Sequence, residues 1–186
     1  MWLNIHPRNL KLADVLFSRE PTVQSTLIAL SSFSRFSHAF IYSGNNKIIQ
    51  ASGGTGVTED SIEYLKDHGS SCWVYRHRAL SHFHALQVVQ YCRRAVGRPY
   101  NYALAALSPG HNVPMNHAEL RRPNATSLAS TSLSRNPTMY CSQLVALAYE
   151  SAGLPIVHPG QANLSNPGTM RFSHVLKFVN DLYWLE

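Results

Sequence analysis

The sequence has few charged residues and contains no long apolar run. Only 14% of its 186 residues are charged and 45% are hydrophobic, which excludes an intrinsically disordered chain. No window reaches the ~18 apolar residues of a membrane span, and residues 1–7 lack the charged and apolar regions of a signal peptide. We therefore expect a soluble protein without an ordinary signal peptide, folded as a single domain over residues 1–186.

Acidic residues are scarce, at 10 against 16 Lys and Arg, so that the net charge is +6 and the pI is near 9.4. Such a balance suits an anionic partner, for example a cell-wall polymer, a lipid headgroup or a nucleic acid. The basic residues are scattered, however, and do not alternate with aromatic residues as they would on a nucleic-acid-binding surface. We therefore expect no binding to nucleic acid.

Cysteine is also scarce, with three residues at 72, 92 and 141. An odd number without a CxxC pair favours free thiols over a disulfide framework or a zinc knuckle. Three histidines, at 77, 82 and 84, have no carboxylate or thiol at ligand spacing, which favours solvated side chains over a metal site. The sequence therefore predicts neither a metal nor another cofactor.

A helix over about 138–150 is predicted to begin next to a cysteine. Pro137 interrupts the preceding segment, Thr138 is a candidate N-cap, and Gly153 provides a stop. Cys141 then lies in the first turn, where the helix dipole favours a thiolate, the nucleophilic form. The alternative is an ordinary buried cysteine, since free cysteine is among the most buried residue types.

The clearest hairpin consists of strands at 36–42 and 47–51, which are rich in aromatic and β-branched residues. A three-residue loop over 44–46 pairs Ser43 with Lys47 and Phe40 with Gln50. Gln50 is then a diagonal neighbour of His38, ~7–8 Å away and within reach of a long side chain. A two-residue loop would instead move Gln50 to the opposite face of the hairpin.

The remaining pattern completes an α+β fold in which an antiparallel sheet packs against the cysteine helix. A segment at about 101–137, rich in proline and serine, is predicted to be a long loop insertion that acts as a lid or specificity loop, or is a mobile surface insertion. The other predicted elements are strands at 12–17 and 71–76, helices at about 21–32, 58–67 and 81–96, a bend at 53–56, a turn at 167–170 and a tail over 172–184 that returns to the sheet. The 81–96 helix is predicted to bury one stripe, made of Phe83, Leu86, Val89, Cys92 and Val96.

His38, Gln50 and Cys141 can form a catalytic constellation. The imidazole of His38 would take the thiol proton of Cys141 and later protonate the leaving group. The amide oxygen of Gln50 would hold the second ring nitrogen and so fix the tautomer. The backbone amide of Cys141, at the helix N-terminus, would help to bind the oxyanion.

The chain resembles the circularly permuted NlpC/P60 superfamily of papain-like cysteine hydrolases, in the branch of the YiiX/YaeF-like and lecithin:retinol acyltransferase-like proteins. In this branch the histidine precedes the cysteine, which reverses the papain order. The matching segments follow the family order: 13–17 for the opening "GDV" strand, with Ala13 where glycine is usual, 37–44 for the histidine strand, 47–51 for the strand of the third polar residue, 97–100 for the "GxPY" turn, 140–145 for the nucleophile motif and 165–170 for the closing turn.

The resemblance implies a Cys141–His38 dyad, or a triad with Gln50, that works through a thioester acyl-enzyme. Relatives often carry His or Glu where this chain has Gln50. Three residues that flank the dyad, Tyr140, Ser142 and Ser37, are assigned to substrate binding or to the oxyanion site. The resemblance implies no metal and no other cofactor.

The resemblance leaves three functions open. The first is an amidase or endopeptidase acting on peptidoglycan stem peptides, which could be exported as an antibacterial effector with a secretion apparatus or an immunity protein as partner. The second is lipid acyl hydrolysis or transfer, favoured if the 101–137 loop presents an apolar face made of Leu104, Leu107, Val113 and Met115. The third is a binding module that keeps the fold without catalysis.

Overall fold

The computed structural model describes residues 4–19, 36–67, 71–107 and 138–183, which form a seven-stranded sheet with helices. The predicted α+β class is confirmed. The strands are β1 Asn4–Ile5, β2 Val15–Ser18, β3 His38–Gly44, β4 Lys47–Ser52, β5 Gly56–Ser61, β6 Cys72–His77 and β7 Leu176–Leu182. The α-helices are α1 Glu63–Asp67, α2 His82–Ala95, α3 Tyr102–Leu107, α4 Cys141–Ser151 and α5 Pro167–Met170, with short 3-10 helices at Pro7–Asn9 and Ala162–Leu164.

The strands lie in the order β1-β7-β6-β2-β3-β4-β5. Within this sheet the short strand β1 runs parallel to its neighbour, β7, and the other strand pairings are antiparallel. The tail of the chain returns to the sheet as predicted, since β7 pairs with both β6 and β1. The predicted helix at 21–32 lies outside the described residues.

The β3–β4 hairpin has a two-residue turn and a bulge, not the predicted three-residue loop. Asn45 and Asn46 both have positive φ, at 52° and 55°, as a type I′ turn requires. Gly44 pairs with Lys47, so the predicted pairing of Ser43 with Lys47 is wrong. The register then shifts across Ser43, and Tyr42 pairs with Ile48. Because the bulge absorbs one residue, Gln50 keeps the face that the longer loop would have given it.

The predicted helix over 58–67 is wrong in its first half, because these residues extend β5 along β4. Gln50 pairs with Thr58 and Ile48 with Asp60. Val57 faces the core, whereas Thr58 and Asp60 lie on the same face as Gln50. Pairing with the edge of β4 satisfies the backbone of this polar segment, and only α1 remains helical.

Helix α2 is predicted correctly in position, but only in part in the face that it buries. Ser81 caps it by accepting a hydrogen bond from the backbone N–H of His84. Of the predicted stripe, Val89 and Cys92 are buried as predicted, whereas Phe83, Leu86 and Val96 are 65%, 50% and 44% exposed. The buried face of α2 consists of Ala85, Val88, Val89, Tyr91, Cys92 and Ala95.

Helix α4 runs through the centre of the molecule. Every residue from Cys141 to Glu150 is buried. The helix packs against α2, against β3 and β4, and against the Ala162–Leu164 turn. Its C-terminus is closed by Gly153, whose φ of 74° permits its N–H to bond the carbonyl of Glu150 at 3.0 Å.

The two ends of the predicted insertion lie side by side. Tyr100 forms a parallel bridge with Met139, and the Asn101 side chain donates a hydrogen bond of 2.7 Å to the Thr138 hydroxyl. The first residues of the insertion form helix α3, and its remainder, 108–137, lies outside the described residues. The segment that precedes Cys141 is therefore anchored to the segment that follows α2.

Candidate active site

His38 and Gln50 are joined by a buried hydrogen bond. His38 is the first residue of β3, and its Nε2 lies 2.8 Å from Oε1 of Gln50 on β4. The side chains are almost fully buried, at 6% and 1% exposure. The imidazole also packs edge-on against Phe40, with ring centroids 4.5 Å apart. The contact that the hairpin register anticipates is present, whereas the catalytic role of the two residues stays a prediction.

Gln50 forms a second hydrogen bond, with Asp60 on β5, a residue that the sequence pattern did not indicate as part of the site. Gln50 Nε2 donates to Asp60 Oδ2 at 2.8 Å, and the Thr58 hydroxyl donates to the same oxygen at 2.6 Å. A strand assignment for 56–61 would have revealed this group, because Thr58 and Asp60 alternate on one face of a strand. We call His38, Gln50, Thr58 and Asp60 the sheet relay.

Cys141 is the first residue of α4. Tyr140, and not the predicted Thr138, is the N-cap, and its backbone N–H donates to the Gln143 side-chain oxygen at 3.3 Å. Thr138 instead accepts the hydrogen bond from Asn101 described above. The Cys141 side chain is buried, at 4% exposure, near the positive end of the helix dipole.

The neighbours of Cys141 attach the helix start to the 162–165 segment. The Tyr140 hydroxyl donates to the carbonyl of Ala162 at 3.3 Å, and the Ser142 hydroxyl donates to that of Ser165 at 2.8 Å. Burial raises the pKa of the Tyr140 hydroxyl, which keeps it a neutral donor. Ser37 is buried, and its backbone N–H bonds the Ser18 carbonyl at 3.0 Å. These contacts position the helix and strand ends; a role in substrate binding stays a prediction for all three residues.

The structure brings His38 and Gln50 together on the face of the sheet that carries Phe40 and Ile48. Cys141 belongs to the apolar cluster of the opposite face, where α4 packs. Because His38 and Cys141 are the first residues of β3 and α4, a contact between the imidazole and the thiol would be made around the end of the strand. This contact stays a prediction.

The other two cysteines differ from Cys141 in their surroundings. Cys72 lies in β6 and Cys92 in α2, both buried, and burial raises the pKa of each thiol. No disulfide joins any of the three cysteines. Cys72 and Cys92 are therefore internal references for the reactivity of Cys141.

The expectation of solvated histidines is wrong for His77. This side chain is buried, and its Nδ1 accepts a hydrogen bond of 3.1 Å from the Ala79 N–H. Burial and the neighbouring His84 lower the pKa of His77 to about 4. Within residues 4–19, 36–67, 71–107 and 138–183, no group of three or more His, Cys, Asp or Glu side chains could hold a metal ion.

Comparison with known proteins gives a curated relative and similar solved structures. No family model matches the chain. It is 26% identical over 166 residues to the probable lipoprotein peptidase YaeF of Escherichia coli K12, a match that covers 80% of this chain. The chain spans 58% of the length of that relative.

One similar structure is that of YiiX from Escherichia coli O157:H7, described as a metalloprotein. The TM-score is 0.64 at 17% identity, and the alignment covers 93% of this chain and 98% of YiiX. At this identity the likeness concerns the fold alone. In the part of the chain that the structure describes, no helix has the length and apolar character needed to cross a membrane. The chain is therefore similar to YaeF in sequence and to YiiX in fold.

Proposed function

We propose that this protein is a cysteine-nucleophile hydrolase that cleaves amide bonds, with peptidoglycan stem peptides as substrate. The observation that supports it best is the buried hydrogen bond between His38 and Gln50, on the sheet against which the Cys141 helix packs. A buried imidazole with one nitrogen held by an amide oxygen has a fixed ring orientation, as the histidine of a cysteine–histidine pair needs. The peptidase name of the YaeF relative and the net charge of +6, which suits an anionic wall, agree with this proposal.

The reaction would take place in two steps. In the first, His38 removes the proton from the Cys141 thiol, and the thiolate sulfur attacks the amide carbon, so that a C–S bond forms. The C–N bond then breaks, and the amine leaves with the proton that His38 returns. In the second step, His38 deprotonates a water molecule that attacks the thioester, and the C–S bond breaks to release the carboxylic acid and the free thiol.

Alkylation with iodoacetamide at pH 6 tests the nucleophile directly. We expect Cys141 to react much faster than Cys72 and Cys92, because His38 is the proposed base for its thiol, whereas burial raises the pKa values of the other two thiols and keeps them protonated. Mass spectrometry of the labelled peptides measures the three rates in one sample. The fast reaction should disappear in Cys141→Ala and slow by about 10²-fold in His38→Ala, the lower end of general-base contributions.

Cys72→Ala is the matched control and should leave the fast reaction unchanged. The same variants should then be incubated with purified muropeptides, with loss of the stem-peptide amide followed by mass spectrometry. Equal reactivity of the three thiols, or full muropeptide cleavage by Cys141→Ala, would contradict the proposal. If Cys141 is reactive but muropeptides are not cleaved, the assignment of Cys141 as nucleophile would stand and peptidoglycan stem peptides would be excluded as the substrate.

A further inference from the structure

Asp60 determines which end of the Gln50 amide faces it. Its Oδ2 accepts hydrogen bonds from Gln50 Nε2 at 2.8 Å and from the Thr58 hydroxyl at 2.6 Å. An ionised carboxylate has only acceptors, so both neighbours must donate to it. With the amide reversed, the Gln50 oxygen would lie against the Asp60 oxygen, and two acceptors at this distance repel. The NH₂ group of Gln50 is therefore directed to Asp60.

The orientation of Gln50 in turn determines the tautomer of His38. The opposite end of the amide is the oxygen, which lies 2.8 Å from His38 Nε2. An amide oxygen can only accept, so Nε2 must carry a hydrogen. A neutral imidazole has one N–H, and Nδ1 is then the unprotonated nitrogen.

We propose that Asp60 is a positioning residue that sets the tautomer of His38 through Gln50, so that Nδ1 is the nitrogen that takes the Cys141 proton. This inference rests on the proposed function, in which His38 is the base. If the amide were reversed, Nε2 would have to accept and Nδ1 would carry the hydrogen, and Nδ1 could not remove a proton from the thiol. Asp60 also adds a negative charge at the end of the sheet relay, which favours the imidazolium formed during the reaction.

The first test is the substitution Asp60→Asn, which keeps the size of the side chain. The asparagine amide can donate as well as accept, so it permits both orientations of Gln50. We expect the rate of Cys141 alkylation by iodoacetamide at pH 6 to fall by about tenfold, less than the ~10²-fold or more expected when the general base itself is removed. An unchanged rate would overturn the proposal.

The second test separates positioning from structural support by repeating the substitution in a Gln50→Glu background. The introduced glutamate accepts from His38 without help, and its carboxylate is repelled by that of Asp60. In this background Asp60→Asn removes the repulsion and provides an amide that donates to the glutamate, so the alkylation rate should rise. A residue that only supports the β4–β5 pairing would instead lower the rate in both backgrounds. A fall in the Gln50→Glu background would overturn the proposal.

The third test reads the tautomer without any catalysis. Long-range ¹⁵N–¹H NMR of the histidine rings at pH 8, with His38 assigned from the His38→Gln variant, distinguishes the protonated from the unprotonated nitrogen. We expect Cys141→Ala to show His38 with hydrogen on Nε2, and Cys141→Ala/Asp60→Asn to add the tautomer with hydrogen on Nδ1. An unchanged tautomer would overturn the role of Asp60 even if Cys141 is reactive. If Asp60→Asn changes the tautomer but Cys141 of the wild-type protein is unreactive toward iodoacetamide, the positioning role of Asp60 would stand and the proposed hydrolase function would be rejected.

Discussion

Asp14, directly before β2, and Asp60, in β5, are carboxylates that accept hydrogen bonds from partners of different kinds. Asp14 is fully buried and is bound by both Nε and an Nη of Arg76, each at 2.6 Å. Asp60 is half-buried and is bound by a neutral amide and a neutral hydroxyl. The guanidinium of Arg76 neutralises the charge of Asp14. We call this ion pair, which joins the residue before β2 to β6, the clamp. The hydrogen-bond partners of Asp60 within the described residues are uncharged, and its bonds lead to His38.

The comparison predicts that damage at Asp14 affects stability and that damage at Asp60 affects reactivity. The Asp14 region includes Ala13, whose carbonyl accepts from the Tyr149 hydroxyl, and His77, which stacks on Tyr149. Each of the following changes is made in this region. The rate of Cys141 alkylation per folded molecule should stay constant in all of them.

The largest effect is expected from Arg76→Met. Removal of the guanidinium leaves Asp14 buried without its cation, which costs about 3–5 kcal/mol in comparable buried ion pairs. Urea denaturation followed by circular dichroism should show this loss in the free energy of unfolding. Arg76→Lys should lose less, because an ammonium keeps the charge but not the two-pronged geometry. A loss below about 1 kcal/mol, the usual range of surface pairs, would contradict the clamp.

The second effect is an acid sensitivity caused by His77. The pKa of His77 is lowered to about 4 in the folded protein. Between pH 6.5 and 4, His77 therefore binds a proton in the unfolded chain but stays neutral in the folded chain. The stabilisation is therefore complete above pH 6.5 and is lost as the pH falls, by about 3 kcal/mol at pH 4. Denaturation curves at intervals from pH 8 to 4 would measure it. In His77→Asn, whose side chain accepts from Ala79 without titrating, this part of the pH dependence should be absent.

The smallest effect, and the only stabilising one, is expected from Ala13→Gly. Ala13 has a φ of 65°, in the left-handed region where a side chain costs roughly 1–2 kcal/mol. Glycine removes this strain but loses a buried methyl and some conformational restriction of the unfolded chain. We expect a net gain of about 0.5–1 kcal/mol in the free energy of unfolding. A loss of stability would show that packing of the methyl outweighs the strain.

Part of the sheet relay could be predicted from the sequence. The β3–β4 hairpin is indicated by its aromatic and β-branched residues and its Asn-Asn turn, and the pairing of residues around His38 and Gln50 follows from that register. The bulge at Ser43 could not be predicted, because a glycine-asparagine segment is compatible with loops of two and of three residues.

Asp60 and the orientation of α2 could not be predicted, for tertiary reasons. The 56–61 segment is polar enough to suit the first turn of a helix, and it becomes a strand because β4 offers an unpaired edge. On α2 the larger side chains suggested the buried face, but the helix lies close to the core through its alanines and valines. In both cases the deciding partner is remote in sequence. The α4 helix was found, although not its N-cap, because its apolar residues and its glycine stop are close together in sequence.

The two hairpin turns give the sheet relay a spacing that can be sought in other genomes. His38 and Gln50 are 12 residues apart across one turn, and Gln50 and Asp60 are 10 apart across the next. Adding or removing one residue in either turn, without a compensating bulge, moves one member to the opposite face of the sheet. Substitutions can therefore accumulate freely around these positions while insertions and deletions cannot. A distant homologue that keeps the same intervals, with histidine, glutamine and aspartate in this order, would be a candidate for the same chain of hydrogen bonds.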